Sequence, residues 1–443
     1  MTAGVAVRSA GQAGLTLVEL MVAMALGLIV AGGVVAIFHS TSASNRAQTQ
    51  LARLQEEGRF AVTRMKRDLE MANGLYCNNS GGAAKPVEAS QLYLDGLRAP
   101  MVYRAYLDWT IHDSTTYFSY TFGGNRYPDQ PARPYSMPAF LFMRGYDCGL
   151  ASAGCKPMDP SFFNFKIPKM GRAVGNRVMG TDVITVRYLD TERGWAIGGA
   201  GTSMEVNRTT RAIDSFTLTP LAGEPSADDF AGDTAMLADC SGSSIFMVNK
   251  SGTKLSVKYD GYGSPMPEAS PLTPALKLFD FKRDFRNVTY YAKVVDNGNG
   301  QTTGALVRRV NGGVMEDELV RGVERLDFRY GIQDADGKVR YVTADVVDAG
   351  KGIPCPPGEP NRITTVGCLW RAVSSIEVNL VISGQNPLYT LAPGELAYTY
   401  GVDGKTTPTA PSRHKIKPSD QGFPEPMLRR EFTAVVAVRN FNP

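Results

Sequence analysis

The chain has 443 residues, enough for a membrane anchor followed by one large domain or two closely packed ones. Its 47 basic and 43 acidic residues give a net charge of +4. They are scattered, with no basic run interleaved with aromatic residues, so we predict no nucleic-acid partner.

The motifs that mark the common enzyme classes are missing from the sequence. The three histidines lie in no metal-binding or triad pattern, and no nucleophile elbow, zinc-protease helix, Walker A loop or dinucleotide-binding glycine motif occurs at a strand–helix junction. We therefore predict a non-catalytic protein without a cofactor. A membrane-anchored hydrolase with a glycosidase-like carboxylate pair stays open as an alternative.

The most informative feature is an apolar run over residues 15–38, in which Glu19 is the only charge. As a helix the run spans about 36 Å, enough to cross a bilayer. A carboxylate in hydrocarbon costs a few kcal/mol, so its presence implies a partner, most naturally an amine. Cleavage after Gly14 would make Leu15 a free N-terminus one turn from Glu19, and in an assembly the carboxylate could reach a neighbour's N-terminus.

The residues before the apolar run predict its orientation. Residues 1–14 are short and carry Arg8, which places the chain after Phe38 outside the cytoplasm. An ordinary cleaved signal peptide fits less well, because the small-residue boundary at Ala13-Gly14 comes before the apolar core rather than after it.

The helix is predicted to continue beyond the membrane face, because residues 41–72 contain no proline and only Gly58 as a glycine. Asn73-Gly74 is the predicted stop. We expect this second half to pack on the downstream domain, although a separate coiled-coil stalk is the alternative. Apolar residues recur at helical spacing at Leu51, Leu54, Ala61, Val62, Met65, Leu69 and Ala72, and charge pairs are expected on the outer side at Arg53–Glu57, Arg64–Asp68 and Lys66–Glu70.

Residues 75–443 are predicted to form a β-rich head, because 46 glycines and 27 prolines in the chain punctuate short alternating runs. Residues 78–172 lack periodicity and are expected to form long loops, whose tyrosines serve either as core or as a recognition surface. The segment 261–274 is a connecting loop and candidate subdomain boundary, and the paired arginines 308–309 and 429–430 are interpreted as solvated strand ends. Strands are predicted at Asp182–Tyr188, Ser244–Val248, Leu255–Tyr259, Thr289–Val295, Ala305–Val310, Val323–Tyr330, Val373–Val381 and Glu431–Arg439.

The six cysteines indicate disulfides, because their number is even and the head is predicted to be extracytoplasmic. Fifteen connectivities are possible. Local pairing favours Cys148–Cys155 and Cys355–Cys368, leaving Cys77 with Cys240. Weak calcium candidates lie in two acidic turns, at Asp296 and at Asp334 and Asp336, but Asp-Gly and Asn-Gly are also ordinary hairpin residues and we predict no metal site.

The residues from Gly14 to Met21, which read GLTLVELM, resemble the class III leader of type IV pilins and pseudopilins. The resemblance implies cleavage between Gly14 and Leu15 and N-methylation of Leu15 by a prepilin peptidase, although the family most often has phenylalanine at this position. Further segments are similar to the PilW family of minor pilins. They include residues 51–69, 181–186, 238–246, 306–313, 319–326 and 432–440.

The resemblance implies an α+β, type IV pilin-like fold with a long N-terminal helix, transmembrane then amphipathic, on a large antiparallel β-rich head. Its parts would be a leader (1–14), a pilin helix (15–74) and a periplasmic head (75–443). It further implies a non-catalytic minor pilin, held in the bacterial inner membrane and then placed in the pilus. The implied partners are other minor pilins, the major pilin and a tip adhesin, with roles in pilus assembly and priming, twitching motility and cell adhesion. A type II secretion pseudopilin and an adhesive module at the pilus tip are the alternatives.

Overall fold

The computed structural model describes residues 16–76, 84–88, 91–94, 100–104, 120–122, 125–127, 134–137, 139–151, 154–161, 167–239, 242–258, 276–298, 300–311, 315–333, 338–350, 367–387, 398–400, 405–409 and 416–440. The chain divides into two compact units, one ending at Arg53 and the other beginning at Leu54. We describe the two units separately.

A single helix, α1 (Leu17–Glu70, 54 residues), contributes to both units. Thr16 caps its start, because the Thr16 hydroxyl accepts the backbone N–H of Glu19 at 3.3 Å. The helix ends at Glu70, and Asn73 in the following turn has a left-handed φ of 63°. The predicted stop at Asn73-Gly74 therefore lies within the turn that ends the helix.

The second unit consists mainly of strands, with short helices between them. The short helices are α2 (Phe281–Asp284), α3 (Ala344–Ala349) and α4 (Pro418–Gln421), with 3-10 turns at Ala139–Leu141, Ala227–Asp229 and Cys368–Ala372. The strands in chain order are β1 (Ala84–Glu88), β2 (Gln91–Leu94), β3 (Met101–Tyr103), β4 (Tyr120–Phe122), β5 (Asn125–Tyr127), β6 (Tyr135–Ser136), β7 (Met143–Tyr146), β8 (Val183–Leu189), β9 (Trp195–Ala196), β10 (Ser203–Val206), β11 (Ile213–Thr217), β12 (Thr234–Ala238), β13 (Ser243–Ser251), β14 (Lys254–Lys258), β15 (Lys277–Asp280), β16 (Phe285–Gly298), β17 (Gln301–Val310), β18 (Met315–Arg321), β19 (Val323–Gln333), β20 (Val339–Val342), β21 (Val373–Ser383), β22 (Tyr398–Tyr400), β23 (Lys405–Thr409) and β24 (Arg429–Ala437).

Three sheets organise the described part of this unit. A five-stranded sheet has the order β18-β17-β16-β8-β7, and a four-stranded sheet has the order β20-β19-β21-β24. The third has nine strands, in the order β10-β11-β14-β13-β12-β15-β9 with β3 paired to β13 and β6 paired to β3. All these pairs are antiparallel except β3 with β13.

The α+β prediction is confirmed, and each of the eight predicted strands overlaps an observed one. The prediction for residues 78–172 was wrong, because β1 to β7 lie there. Strand β7 shows why a strand in this region was not predicted. All four of its residues are buried, so its sequence does not alternate between apolar and polar positions. The candidate boundary at 261–274 lies outside the described residues.

The apolar stripe of α1 from Leu54 onward, together with Ala72 in the turn after the helix, belongs to the largest hydrophobic core of the second unit. Leu54, Ala61, Met65, Leu69 and Ala72 are at most 2% exposed. They share this core with side chains from the five-stranded sheet and from the four-stranded sheet. The prediction that the amphipathic half of the helix packs on the head is therefore confirmed for the residues of the second unit.

Asp182 connects the five-stranded and four-stranded sheets at the start of β8. Its carboxylate accepts the backbone N–H of Cys148, after β7, at 2.9 Å and that of Phe328, in β19, at 3.0 Å. Burial, with the nearby charges of Asp327 and Asp147, raises the pKa of Asp182 well above its usual value. The fold therefore favours the protonated acid, and this contribution to stability is lost as the pH rises through the raised pKa.

Gly58 is the one position where α1 approaches β24 too closely for a side chain. A Cβ at residue 58 would lie 2.2 Å from the ring of Phe432, which is too short for any real contact. We predict that Gly58→Ala lowers the free energy of unfolding by about 1–2 kcal/mol, because overpacking outweighs the helix-propensity gain of about 1 kcal/mol. Denaturant unfolding of the full chain in detergent measures this.

The double variant Gly58→Ala/Phe432→Leu should recover part of the loss, because it removes the clashing ring. Thr63→Ala, at an exposed position of the same helix, is the matched control and should change the stability little. An unchanged or higher stability of Gly58→Ala would contradict the close approach.

Candidate functional site

The first unit presents an apolar helical surface to its surroundings. Within the described residues, α1 is the one helix long and apolar enough to cross a membrane, and none of its most apolar 18-residue window is buried. Leu17 is 75% exposed and Phe38 is 72% exposed. Such a surface needs lipid or other apolar helices to cover it.

Glu19 lies at the third position of α1, in the sequence Thr16-Leu17-Val18-Glu19. This spacing is typical of a capping box, and one half of the box is present as the bond from the Glu19 N–H to the Thr16 hydroxyl. The carboxylate therefore lies at the positive end of the helix dipole, in the first turn. Gly14 and Leu15 lie outside the described residues, so the predicted cleavage and methylation position stays a prediction.

A buried carboxylate joins α1 to the five-stranded sheet in the second unit. Arg308 of β17 binds Asp68 with two nitrogens, Nε to Oδ2 at 2.7 Å and Nη2 to Oδ1 at 3.2 Å. The hydroxyl of Tyr290 donates to Oδ2 at 2.5 Å and that of Tyr188 donates to Oδ1 at 2.9 Å. We call these four residues the Asp68 clamp.

The clamp shows that the predicted Arg64–Asp68 charge pair does not lie on the outer side of the helix. Arg64 lies 3.7 Å from Asp68, as its spacing predicted, but Asp68 is only 4% exposed and faces the sheet rather than the outer side. The interpretation of the paired arginines as solvated strand ends was wrong for Arg308, Arg309 and Arg429, which are each at most 7% exposed, whereas Arg430 is exposed as expected. The sequence gives only a weak indication that these arginines are buried. Arg308 and Arg309 lie at the end of an apolar strand, but the sequence does not show which side chains bind them.

The electrostatics of the clamp favour the ionised carboxylate. Burial alone raises the pKa of Asp68, but the hydrogen bonds from Arg308 and Tyr290 and the charges of Arg308 and Arg64 hold that pKa below its usual value. Burial beside the carboxylate also raises the pKa of Tyr290 and Tyr188, so both phenols stay protonated donors.

The C-terminal residues of the described chain hold the end of α1. Arg439 binds Glu70 at 2.6 Å, and the Arg439 backbone N–H donates to the Glu70 carbonyl at 3.0 Å. The Asn440 amide donates to the carbonyls of Met71 and Ala72, each at 3.2 Å. These bonds satisfy backbone acceptors at the helix end that would otherwise lack partners.

The remaining candidate residues are only partly described. Cys148 and Cys155 form a disulfide. Cys368 begins a 3-10 turn, while Cys77, Cys240, Cys355, Asp334 and Asp336 lie outside the described residues. Asp296 accepts the Gly298 N–H at 2.9 Å in the β16–β17 turn, and no group of three or more His, Cys, Asp or Glu among the described residues could hold a metal ion.

Two segments of the chain match known protein families. Residues 9–35, which include Glu19, match the family described as Prokaryotic N-terminal methylation motif, so the chain carries the N-terminal signature of pilin-like proteins. Residues 289–440 match the family described as Type IV Pilus-assembly protein W, and this match confirms the resemblance to the PilW family. No curated protein and no solved structure matches the chain.

The segment that matches the PilW family contains many of the residues that contact α1. The matched segment 289–440 begins within β16 and contains Tyr290, Arg308, Phe432 and Asn440, so it supplies most of the contacts that hold α1. The helix and the PilW-family region thus form one packed structure from Leu54 onward.

We predict that Asp68→Asn lowers the free energy of unfolding by about 3 kcal/mol, because it leaves the buried Arg308 guanidinium with only the exposed Asp317 carboxylate, 3.9 Å away, as a counter-charge. Denaturant unfolding of the full chain in detergent measures the change. The matched control is Lys66→Ala, which removes the exposed Lys66–Glu70 pair of the same helix turn and should cost little.

The loss of stability caused by Asp68→Asn should depend on pH. A lowered pKa means that the carboxylate stabilises the fold above its unfolded pKa and loses this contribution as the pH falls through the folded value. The difference in stability between the unmodified chain and Asp68→Asn should therefore shrink below about pH 4. A difference that stays constant or grows on acidification would refute the role of the ionised carboxylate.

Proposed function

We propose that this protein is a non-catalytic minor pilin that takes part in type IV pilus assembly and priming and in the complex at the pilus tip. The observation that carries the proposal is an uncovered apolar helix that begins with a methylation motif and is joined to a PilW-family head. Pilin-family regions are structural rather than catalytic, which agrees with the lack of enzyme motifs in the sequence.

In this proposal the chain has a leader (1–14), a pilin helix (15–74) whose residues 15–38 span the inner membrane, and a periplasmic head (75–443). A prepilin peptidase cuts after Gly14 and methylates Leu15. The helix then leaves the membrane for the filament, where helices of the major pilin and other minor pilins cover the apolar side chains that lipid covered before. The head contributes to a tip complex that displays an adhesin and supports twitching motility.

Glu19 is the specific element of this mechanism. Its carboxylate is the only charge in an exposed apolar segment, and an unpaired charge is costly once lipid or helices surround it. The methylated amine of a neighbouring subunit's first residue supplies the opposite charge. Pairing therefore favours one axial position of the incoming helix over others.

The Asp68 clamp serves a mechanical role in the proposal. A subunit that is extracted from a membrane transmits force between its helix and its head. Residues 61–72 are fixed to the head by the clamp, by the bonds from Arg439 and Asn440, and by apolar burial. The head therefore moves together with residues 61–72.

The first test is the variant Glu19→Ala. It should insert into the membrane and be cleaved normally but be poorly incorporated, so that surface pili fall several-fold while the amount of processed protein is unchanged. Electron microscopy counts the pili, and immunoblotting of membrane and sheared-pilus fractions follows the subunit. The control is Glu56→Ala, an exposed acid of the same helix within the second unit.

Normal pilus numbers in Glu19→Ala would contradict the charge-pairing role. A defect confined to protein secretion, with intact pili, would indicate a type II secretion pseudopilin instead. Loss of adhesion with intact pili, on deletion of residues 105–119, would indicate an adhesive module at the tip.

The second test is mass spectrometry of the mature N-terminus. The expected N-terminal peptide begins at Leu15 and is one methyl group heavier than its unmodified mass. A mature chain that begins at Met1, or downstream of Phe38, would overturn the proposal, because the apolar helix would then be either unprocessed or lost.

A further inference from the structure

A fully buried arginine straddles the Cys148–Cys155 disulfide. Arg177 is 0% exposed, and its Nη1 lies 3.6 Å from the Cys148 sulfur while its Nη2 lies 3.7 Å from the Cys155 sulfur. Nη2 also binds Asp159 at 3.0 Å. The site lies outside both segments that match a family, so neither match accounts for it.

Contacts other than the disulfide bond also hold the geometry around the two sulfurs. The backbones of Asp147 and Lys156 exchange two hydrogen bonds of 2.8 Å immediately outside the pair, which closes the loop independently. Arg177 is held by its own contacts, since its N–H donates to the Lys169 carbonyl at 2.9 Å and its side chain binds Asp159. A reduced pair would therefore keep both thiols beside the guanidinium.

The buried charge of Arg177 is incompletely balanced. Its Nε has no hydrogen-bond partner among the described atoms, and burial lowers the pKa of this guanidinium. The Asp159 oxygen that it binds is shared, because it also accepts the N–H and the hydroxyl of Ser161, each at 2.8 Å. A negative charge on a neighbouring sulfur would stabilise the guanidinium and be stabilised by it.

We propose that Cys148–Cys155 is a site of thiol–disulfide exchange, in which Arg177 stabilises the thiolate that leaves when the bond opens. The co-substrate is an external thiol, such as glutathione or a protein dithiol. The site does not depend on the proposed role in pili. Most disulfides in extracytoplasmic proteins are fixed cross-links, and the proposal gives this one a different chemistry.

The contacts also assign the two cysteines distinct roles. Among the described residues Nη1 binds the Cys148 sulfur and no carboxylate, whereas Nη2 is shared with Asp159, so the Cys148 thiolate is the better stabilised leaving group. The external thiolate attacks the Cys155 sulfur, the S–S bond breaks, and its electron pair goes to Cys148. A second external thiolate then attacks the external sulfur of this mixed disulfide, and the electron pair of the broken bond goes to Cys155. The oxidised co-substrate is released, and both cysteines are left reduced as they take up protons from solvent.

Access to the sulfurs is limited, because Cys148 is 4% exposed and Cys155 is 5% exposed. The loop that they close is itself exposed at Leu150, Ala151 and Gly154. These exposed residues lie beside the sulfurs, and Arg177 sets how readily the bond opens once a thiol arrives.

The test compares Arg177→Met with the unmodified full-length chain in detergent, each equilibrated with glutathione at pH 7. Free cysteines are then alkylated and the single tryptic peptide that contains Cys148 and Cys155 is quantified by mass spectrometry. Loss of the guanidinium should make this disulfide harder to reduce, with about a tenfold lower rate and a smaller reduced fraction at each glutathione ratio. The matched control is Arg429→Met, a buried arginine that binds Glu324 rather than sulfur.

The direction of the change separates the proposal from a structural role. A purely structural arginine would, on removal, loosen the fold and make the bond easier to reduce, as expected for Arg429→Met. The proposal is overturned if Arg177→Met reduces faster than, or as fast as, the unmodified chain. The mixed disulfide trapped during reduction should lie on Cys155, and its appearance mainly on Cys148 would refute the assigned roles.

A second readout is the pH dependence of alkylation in the reduced chain. The midpoint for Cys148 should shift to higher pH in Arg177→Met, because the cation that stabilises the thiolate is gone. The other ionisable groups around the site are Asp147, Asp159, Asp182, Lys156 and Tyr291, and they are present in both proteins. An unshifted midpoint contradicts the proposal.

Discussion

The described head depends on one buried ion pair, because Asp68 and Arg308 fix the only long helix to the five-stranded sheet. An aspartate in this position is costly unless its charge is matched and both its oxygens are bonded. The bidentate guanidinium and the two tyrosine hydroxyls meet both demands. The pair also fixes the rotation of the helix, since Asp68 reaches Arg308 only when Ala61, Met65 and Leu69 point into the core.

The helix meets two different requirements along its length. In the first unit its apolar side chains are exposed and need an external cover. In the second unit the same backbone is apolar on one stripe only, and the protein itself covers that stripe. The apolar surface thus changes from the whole circumference of the helix to a single stripe. This change marks the part of the helix that is covered by the protein's own head.

Much of this could be predicted from the sequence, for reasons that particular residues make clear. The helix and strands β16, β17, β19 and β21 were predictable because long, regular apolar patterns specify them. Strand β7 was not, because burial on both sides removes the alternation. The clamp was missed because Asp68 and Arg308 are 240 residues apart, and a lone charge on a helix resembles a solvated one until its partner is known. The contact of Arg177 with the two cysteine sulfurs was missed because no local sequence pattern links an arginine to a disulfide 22 to 29 residues away.

The contacts that close the helix end have a consequence for the order of folding. The bonds to Met71 and Ala72 come from Asn440, 368 to 369 positions further along the chain, and Phe432 fills the gap over Gly58. During synthesis the helix emerges first, and these contacts cannot form until residues 432–440 have been translated. A ribosome that stalls before β24 therefore leaves part of the apolar stripe uncovered, and such a nascent chain is prone to aggregate.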